Sequence, residues 1–190
     1  DQEGSRRHID HTCQTDDQAA EQAHLHFVEK IEPLLKPEWQ KLDQLFLACP
    51  YTKDLPQGRW NVFVRETKKD VELFRAENIP LQTEDTKLGL QYQKLTGAMT
   101  VCFKGKEHTL QQMGRYLEEP DRDLREVAWQ LITYRRLMDR DRIEQIYDEE
   151  LAIRAKIAKN AGFASYREYA FRAKSRFDYT PAMCDDFHNA

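Results

Sequence analysis

The longest regular pattern of apolar and polar residues runs from Asp121 to Phe163. Apolar residues between Leu124 and Met138 recur at spacings of three and four, which places them on one face of a helix. The next apolar residue, Ile143, lies five positions on and starts a second stripe, because a helix turns by about 100° per residue. The pattern therefore predicts a kinked helix or two abutting helices, closed at Gly162 by a left-handed residue.

The preceding part of the chain predicts shorter helices separated by proline and polar connectors. Residues 1–15 show no pattern and are predicted to be loop or poorly ordered. Asp16 or Asp17 is a candidate cap for the first helix. Pro33 predicts that this helix ends or loosens near Glu32, and Pro37 is predicted to start the next helix. The predicted helices carry apolar faces over these ranges: Ala20–Leu34, Trp39–Cys49, Trp60–Phe74 and Leu88–Met99.

An alternating pattern replaces the helical one at about residues 99–110. Met99, Val101 and Phe103 alternate with Thr100 and Cys102, and a glycine follows that offers a turn, so the segment predicts a β-hairpin. A lone hairpin is barely stable in water, so its apolar side must pack on other elements. The predicted fold class is mainly α, a multi-helix bundle with one small β-hairpin.

Composition and charge agree with this fold class and argue against some classes of function. Hydrophobic residues make up 40% of the chain and charged residues 33%, which is typical of helices with solvated outer faces. The net charge of −4 argues against nucleic acid as a partner, and no apolar stretch reaches the ~20 residues of a membrane span. The four cysteines form no C-x-x-C pair and are predicted to be reduced and mostly buried, in a cytoplasmic protein.

Candidate chemistry is sparse in this sequence. None of the motifs H-E-x-x-H, G-x-G-x-x-G or G-x-S-x-G occurs, so no catalytic residue and no metal ligand is predicted. His24 and His26 lie two apart on a predicted helix and face different ways, whereas His8 and His11 would meet only if their segment were helical. Ordinary surface histidines are the favoured interpretation.

One cluster near the end of the chain is rich in tyrosine and arginine, two residue types that suit a surface gripping peptide backbone and carboxylates. The alternative, aromatic packing that fastens a short helix to the long one, is favoured because aromatic clusters usually belong to the core. The candidate residues for a substrate-binding wall are Tyr166, Tyr169, Arg172, Arg176 and Tyr179.

Several segments resemble the oligoendopeptidase F branch of the thimet-type zinc oligopeptidases. The resemblance extends from about His11 onward, and its specificity comes from the order and spacing of the segments together. The segments that carry it are Gln91–Lys94, Gly97–Val101, Leu117–Arg122 with Trp129, Asn160–Phe163, Ser165–Arg172 and Arg176–Pro181.

This resemblance implies a mainly helical zinc metalloendopeptidase that takes short peptides into a channel between two lobes. The family's zinc is held by H-E-x-x-H and a later Glu, well downstream of the matched region. The resemblance therefore implies that residues 1–190 are the N-terminal, non-catalytic part, cut within a helix before the zinc-binding lobe and inactive alone. Zinc belongs to the full-length protein, and the partners are the C-terminal catalytic lobe and an oligopeptide.

Two further expectations concern this part of the chain. A stand-alone helical protein-interaction module without enzymatic activity is the alternative function, and it would use the same tyrosine and arginine cluster. If a second lobe normally covers this region, apolar side chains near Phe171, Phe177, Met183 and Phe187 should be exposed and should promote self-association.

Overall fold

The computed structural model describes residues 2–14 and 16–190, except for the side chain of Gln57. Helices dominate, and two strands form an antiparallel hairpin, so the predicted fold class is confirmed. The elements follow in this order: α1 (Gln2–Cys13), α2 (Gln18–His26), α3 (Glu32–Ala48), α4 (Gln57–Leu73), α5 (Asn78–Gly97), β1 (Thr100–Phe103), β2 (Lys106–Thr109), α6 (Leu110–Met113), α7 (Arg122–Met138), α8 (Arg140–Asn160), α9 (Tyr166–Ala173) and α10 (Pro181–Asn189).

The long pattern from Asp121 folds as two abutting helices, as predicted. Asp121 caps α7, since its Oδ1 accepts from the backbone N–H of Asp123 at 3.0 Å and of Leu124 at 3.3 Å. α7 ends at Met138 and α8 begins two residues later. Gly162 closes α8 with a φ of +88°, the left-handed conformation that glycine adopts without strain.

The prediction of loop or disorder for residues 1–15 is wrong over Gln2–Cys13, which form α1. Two of the predicted residues, Asp1 and Thr15, lie outside the described part of the chain. The helix lacks a clear apolar stripe, so periodicity could not reveal it. The carboxylate of Glu3 instead accepts hydrogen bonds from Arg6 at 2.9 Å and Arg7 at 2.8 Å, one turn further along the helix.

Of the two outcomes predicted near Glu32, the helix loosens and does not end, because α2 and α3 are joined through a π-helical segment, Phe27–Ile31. Its last turn is wider than an α turn: the Glu32 N–H donates to the Phe27 carbonyl, five residues back. Pro33 then stands in the first turn of α3, where a missing N–H costs little, and Pro37 lies inside the helix.

The chain divides into two compact units, and the first contains Thr86–Glu150 with the residues up to Leu25. Its core lies where the hairpin meets α7. The hairpin pairs Thr100 with Thr109 and Phe103 with Lys106. Phe103 of the hairpin is buried in one cluster with Ala128 and Ile132 of α7, so the apolar side of the hairpin is covered, as the marginal stability of a lone hairpin requires. The buried core residues are Met99, Phe103, Leu110, Met113, Tyr116, Ala128 and Ile132.

The second unit contains His26–Asp85 and Leu151–Ala190. Here the buried side chain of Asn78, at the start of α5, donates to the carbonyl of Ile157 at 3.1 Å. Its Oδ1 accepts from the amide of Asn160 at 2.8 Å, and Arg75 donates to the Asn160 carbonyl at 3.2 Å. These bonds stabilise the C-terminal end of α8, where the Ile157 carbonyl also accepts from the Ala161 N–H at 3.2 Å and the Asn160 carbonyl has no partner within the helix.

The environment of the cysteines differs from the prediction. Cys13, Cys49 and Cys102 are exposed and Cys184 is partly buried, all four as free thiols, so the expectation of mostly buried thiols is wrong. Each lies near a helix end or on the hairpin rather than on a buried helix face. Within residues 2–14 and 16–190, no helix combines the length and apolar character that crossing a membrane requires.

Candidate functional site

The five predicted wall residues lie on α9 and on the segment that follows it, in the second unit. Ser165 caps α9 by accepting from the Glu168 N–H at 3.2 Å. The helix ends before Ser175, whose φ is +56°. The buried Lys69 of α4 fixes this end, since its Nζ lies 3.3 Å from both the Ala173 carbonyl and the Ser175 hydroxyl.

Tyr166 and Tyr169 form one pair, with ring centroids 5.8 Å apart. The Tyr169 ring also meets Phe163 edge to face at 5.7 Å. Burial raises the pKa of the Tyr169 phenol, the proximity of Tyr166 adds to that rise, and a hydrogen bond with Gln82 opposes it. These contacts are those of a packed aromatic pair that fastens α9 to the rest of the second unit.

Arg172 projects from α9 toward α4. One of its terminal nitrogens donates to the Glu72 carboxylate at 2.5 Å. Its guanidinium also lies over the ring of Phe177, 5.1 Å from the centroid. Arg65 of α4 covers the same ring at 4.3 Å, so two cations contact a single aromatic ring.

Arg176 and Tyr179 meet at another ring, that of Phe171. The Arg176 guanidinium lies 4.9 Å from its centroid, and Tyr179 meets it edge to face at 5.7 Å. Both residues are exposed, whereas Phe171 and Phe177 are only partly exposed because these contacts cover them. Of the side chains expected to be exposed here, Met183 at 56% and Phe187 at 79% agree with the prediction.

A cleft of about 630 Å³ lies beside Arg172, between the end of α3, the 3-10 segment Pro50–Asp54, and α4. Its volume falls in the range of small-molecule sites. We call it the basic cleft, because every charged side chain that lines it carries a positive charge. Apolar side chains form the rest of its lining, with a few polar ones. The lining residues are Leu47, Cys49, Pro50, Thr52, Lys53, Leu55, Trp60, Asn61, Val64, Arg65, Lys68 and Arg172.

The cleft has a rigid aromatic side. Trp60 lies on α4 with its ring 6.1 Å from that of Phe63, and Phe63 meets Phe46 of α3 at 5.2 Å. Thr52 holds the 3-10 segment against the end of α3, since its hydroxyl donates to the Phe46 carbonyl at 2.6 Å. Sequence analysis identified Arg172 but missed the cleft, because the other cations come from separate segments and form no local motif.

The histidines of the first unit also differ from the prediction. His8 and His11 lie on α1, and both rings approach His24, with centroids 5.3 Å and 5.7 Å away. His11 and His24 are buried, so the interpretation of His8 and His11 as surface histidines is wrong for His11. Among all residues that the structure describes, no three His, Cys, Asp or Glu side chains are arranged to hold a metal ion. The described residues therefore do not fit a zinc site.

Comparison with known proteins finds similar solved structures but no similar family model or curated protein. No family model and no curated protein matches the chain. Solved structures described as oligoendopeptidase F and as PZ peptidase A share its fold. The predicted resemblance to oligoendopeptidase F-type peptidases is confirmed.

The individual matches cover nearly the whole chain. A protein from Bacillus anthracis described as an oligoendopeptidase F matches with a TM-score of 0.89 and 23% identity, over 98% of this chain and 34% of its own. PZ peptidase A, solved with an inhibitor, matches with a TM-score of 0.88 and 26% identity, over 96% and 32%. A further oligoendopeptidase F structure gives 0.90 and 24%, over 98% and 33%. The chain thus spans about a third of the length of these proteins.

Proposed function

We propose that this chain is the N-terminal, non-catalytic part of a zinc metalloendopeptidase that hydrolyses short peptides. The observation that carries the proposal is the match to oligoendopeptidase F and PZ peptidase structures, with TM-scores of 0.88 to 0.90 over at least 96% of the chain. Its partners in this proposal are the remaining catalytic lobe and an oligopeptide substrate.

The role proposed for these residues is to form one wall of the substrate channel. When zinc is bound elsewhere in the whole protein, it supplies an activated water for attack on the peptide bond. Arg176 and Tyr179 support a wall function, because both are exposed and both lie against Phe171, which holds them in place. Arg172 supports it through its position in the basic cleft. Tyr166 and Tyr169 would support the wall through the aromatic packing that holds α9.

Reading the coding sequence past Ala190 tests the proposal. An H-E-x-x-H motif in frame, followed by a further Glu, is the expected result. A stop codon directly after Ala190 would contradict the proposal and favour a stand-alone interaction module, in which the same side chains contact a protein partner.

A cytoplasmic location belongs to the same proposal. The exposed thiols of Cys13, Cys49 and Cys102 support it, because a reducing compartment keeps such groups in the free state. Cell fractionation with an antibody against the chain tests this location, and recovery from an extracellular fraction would contradict it.

A further inference from the structure

We propose that the basic cleft binds the free terminal carboxylate of an oligopeptide whose last side chain is apolar. The choice of a carboxylate comes from the charge of the cleft. Lys53, Lys68, Arg65 and Arg172 line it, and no described lining residue is acidic. An anion entering the cleft therefore meets cations on several sides, within a chain whose net charge is −4.

The neighbouring carboxylates neutralise this positive charge only in part. Arg172 is paired with Glu72, but the contact of Arg65 with Asp178 is 3.6 Å long and mostly exposed, which makes it a weak ion pair. In the described part of the chain, no carboxylate lies within ion-pair distance of Lys53 or Lys68, and both are exposed. These two ammonium groups are therefore available to a ligand.

The uncharged wall of the cleft indicates what else the ligand carries. Leu47, Leu55, Trp60 and Val64 contribute apolar surface next to the cations. An inorganic anion would leave this surface in contact with water, whereas an apolar side chain beside a carboxylate would cover it. A volume of about 630 Å³ accommodates the last few atoms of a peptide but not a folded chain.

The guanidinium of Arg172 is positioned before any ligand arrives. Lys69 holds the end of α9 through the Ala173 carbonyl and the Ser175 hydroxyl, both at 3.3 Å. Glu72 and Phe177 hold the guanidinium itself. Because little side-chain motion remains to be lost, binding by this residue carries a small entropic cost. A guanidinium can also donate hydrogen bonds to both oxygens of a carboxylate at once.

The choice of a peptide as the source of the carboxylate rests on the proposed function, whereas the choice of a carboxylate does not. In the whole protein, the cleft would hold the C-terminal end of a short substrate. It would thereby favour oligopeptides over internal segments of long chains, since only a chain end offers the free carboxylate.

Trp60 provides a direct measurement of binding. The sequence contains three tryptophans, so a Trp39→Phe, Trp129→Phe chain retains Trp60 as its single tryptophan. This chain is titrated with a hexapeptide that ends in leucine and lacks aromatic residues, once as the free acid and once as the C-terminal amide. We expect a saturable fluorescence change with the free acid and at least a tenfold weaker affinity for the amide.

Two further titrants separate the carboxylate from a simple anion effect. Acetate and inorganic phosphate should bind at least tenfold more weakly than the free-acid peptide, because neither covers the apolar wall. Equal affinities of acid and amide, the absence of a saturable change, or phosphate binding as tightly as the peptide would each overturn the inference.

A matched pair of variants places the ligand in the cleft. Lys68→Ala removes an exposed cation that lines the cleft, and Lys156→Ala removes an exposed lysine of α8 outside it. We expect about a tenfold loss of affinity for the first and less than twofold for the second. Both variants should unfold at the same temperature as the parent chain, and equal losses of affinity would contradict a site in the cleft.

The outcome also separates this inference from the proposed function. Selective binding of the free acid, with no H-E-x-x-H downstream, would leave the cleft assignment standing and refute the peptidase. Peptide hydrolysis by the whole protein, with no preference of this chain for a free carboxylate, would refute the cleft assignment alone.

Discussion

Asn78 and Lys69 are polar side chains buried in the second unit, and each donates to a backbone carbonyl at the end of a helix. Asn78 reaches the Ile157 carbonyl of α8, and Lys69 reaches the Ala173 carbonyl of α9. Carbonyl groups at a helix end lack partners within the helix, and a buried one without any partner is destabilising. Each of these side chains therefore contributes a hydrogen bond that stabilises the end of one helix.

The first prediction concerns Asn78. Asn78→Ala removes the donor to Ile157 and the acceptor for Asn160, both buried, so the free energy of unfolding should fall by about 1–3 kcal/mol. Urea unfolding followed by circular dichroism measures the change. Asn189→Ala, at an exposed position in α10, is the control and should stay within about 0.5 kcal/mol of the parent. An equal effect of the two substitutions would contradict a role of Asn78 in closing α8.

The second prediction concerns pH. Burial and Tyr166 raise the pKa of Tyr169, so the folded state favours the neutral phenol more than the unfolded state does. Its contribution to stability is fully present below the ordinary pKa of 10.0 and is lost as the pH rises toward and through the higher folded value. Tyr169→Phe should therefore lose less stability than the parent chain between neutral pH and pH 11. Parallel stability curves for the two chains would contradict this account.

At the level of elements, α1 depends on charges rather than on an apolar stripe. Hydrogen bonds from Arg6 and then Arg7 lower the pKa of Glu3 from 4.5 to about 2. Arg7 also donates to the Ala23 carbonyl of α2 at 2.9 Å, so the same cluster connects two helices. A helix of this kind is sensitive to salt and acid, which screen or neutralise its ion pairs.

The third prediction follows from that pKa. Because the pKa of Glu3 is depressed on folding, its contribution to stability is present above 4.5 and is lost as the pH falls toward 2. An NMR titration should place the Glu3 carboxyl near 2, and Arg6→Ala should move it back toward 4.5. A Glu3 pKa above 4 in the parent chain would contradict the described arrangement.

The sequence predicted the elements whose apolar spacing or capping residues are local. The α7–α8 junction, the hairpin and the closure of α8 at Gly162 all follow from residues within a few positions of each other. Proline chemistry indicated that the helix ends or loosens near Glu32, but the π turn itself could not be predicted, because it is a shift in backbone hydrogen bonding without a residue signature. The helix α1 was not predicted from the pattern of apolar residues, because its stabilising contacts are ionic.

The same distinction applies to the candidate site. Arg172 stood out through local composition, whereas Lys53, Lys68 and Trp60 are unremarkable in the sequence. They become a site only because α3, α4 and the 3-10 segment between them fold around one cleft. Sequence reasoning could therefore find one wall of the cleft but not the cleft itself.

At the scale of the whole molecule, the chain matches about a third of the length of oligoendopeptidase F and PZ peptidase structures. Met183 and Phe187 on α10 are exposed by 56% and 79%. Exposed apolar side chains that lie close together favour association, because association removes them from water.

The fourth prediction is therefore that the isolated chain self-associates as its concentration rises. Static light scattering should give a mass above 22.5 kDa at high concentration. Replacing Met183 and Phe187 by serine should restore the mass of the single chain, whereas serine at the exposed Leu34 of α3 should not. A monomeric mass for the parent chain at every concentration would contradict the prediction.

We propose that residues 1–190 shape access to a peptidase site in a larger protein and do not themselves hydrolyse peptides. The most direct test measures cleavage of a fluorogenic oligopeptide, with and without a chelator, together with bound zinc, for this chain and for the whole protein that contains it. The account predicts chelator-sensitive cleavage and stoichiometric zinc for the whole protein, and neither for this chain alone. Chelator-sensitive cleavage by the isolated chain would contradict it.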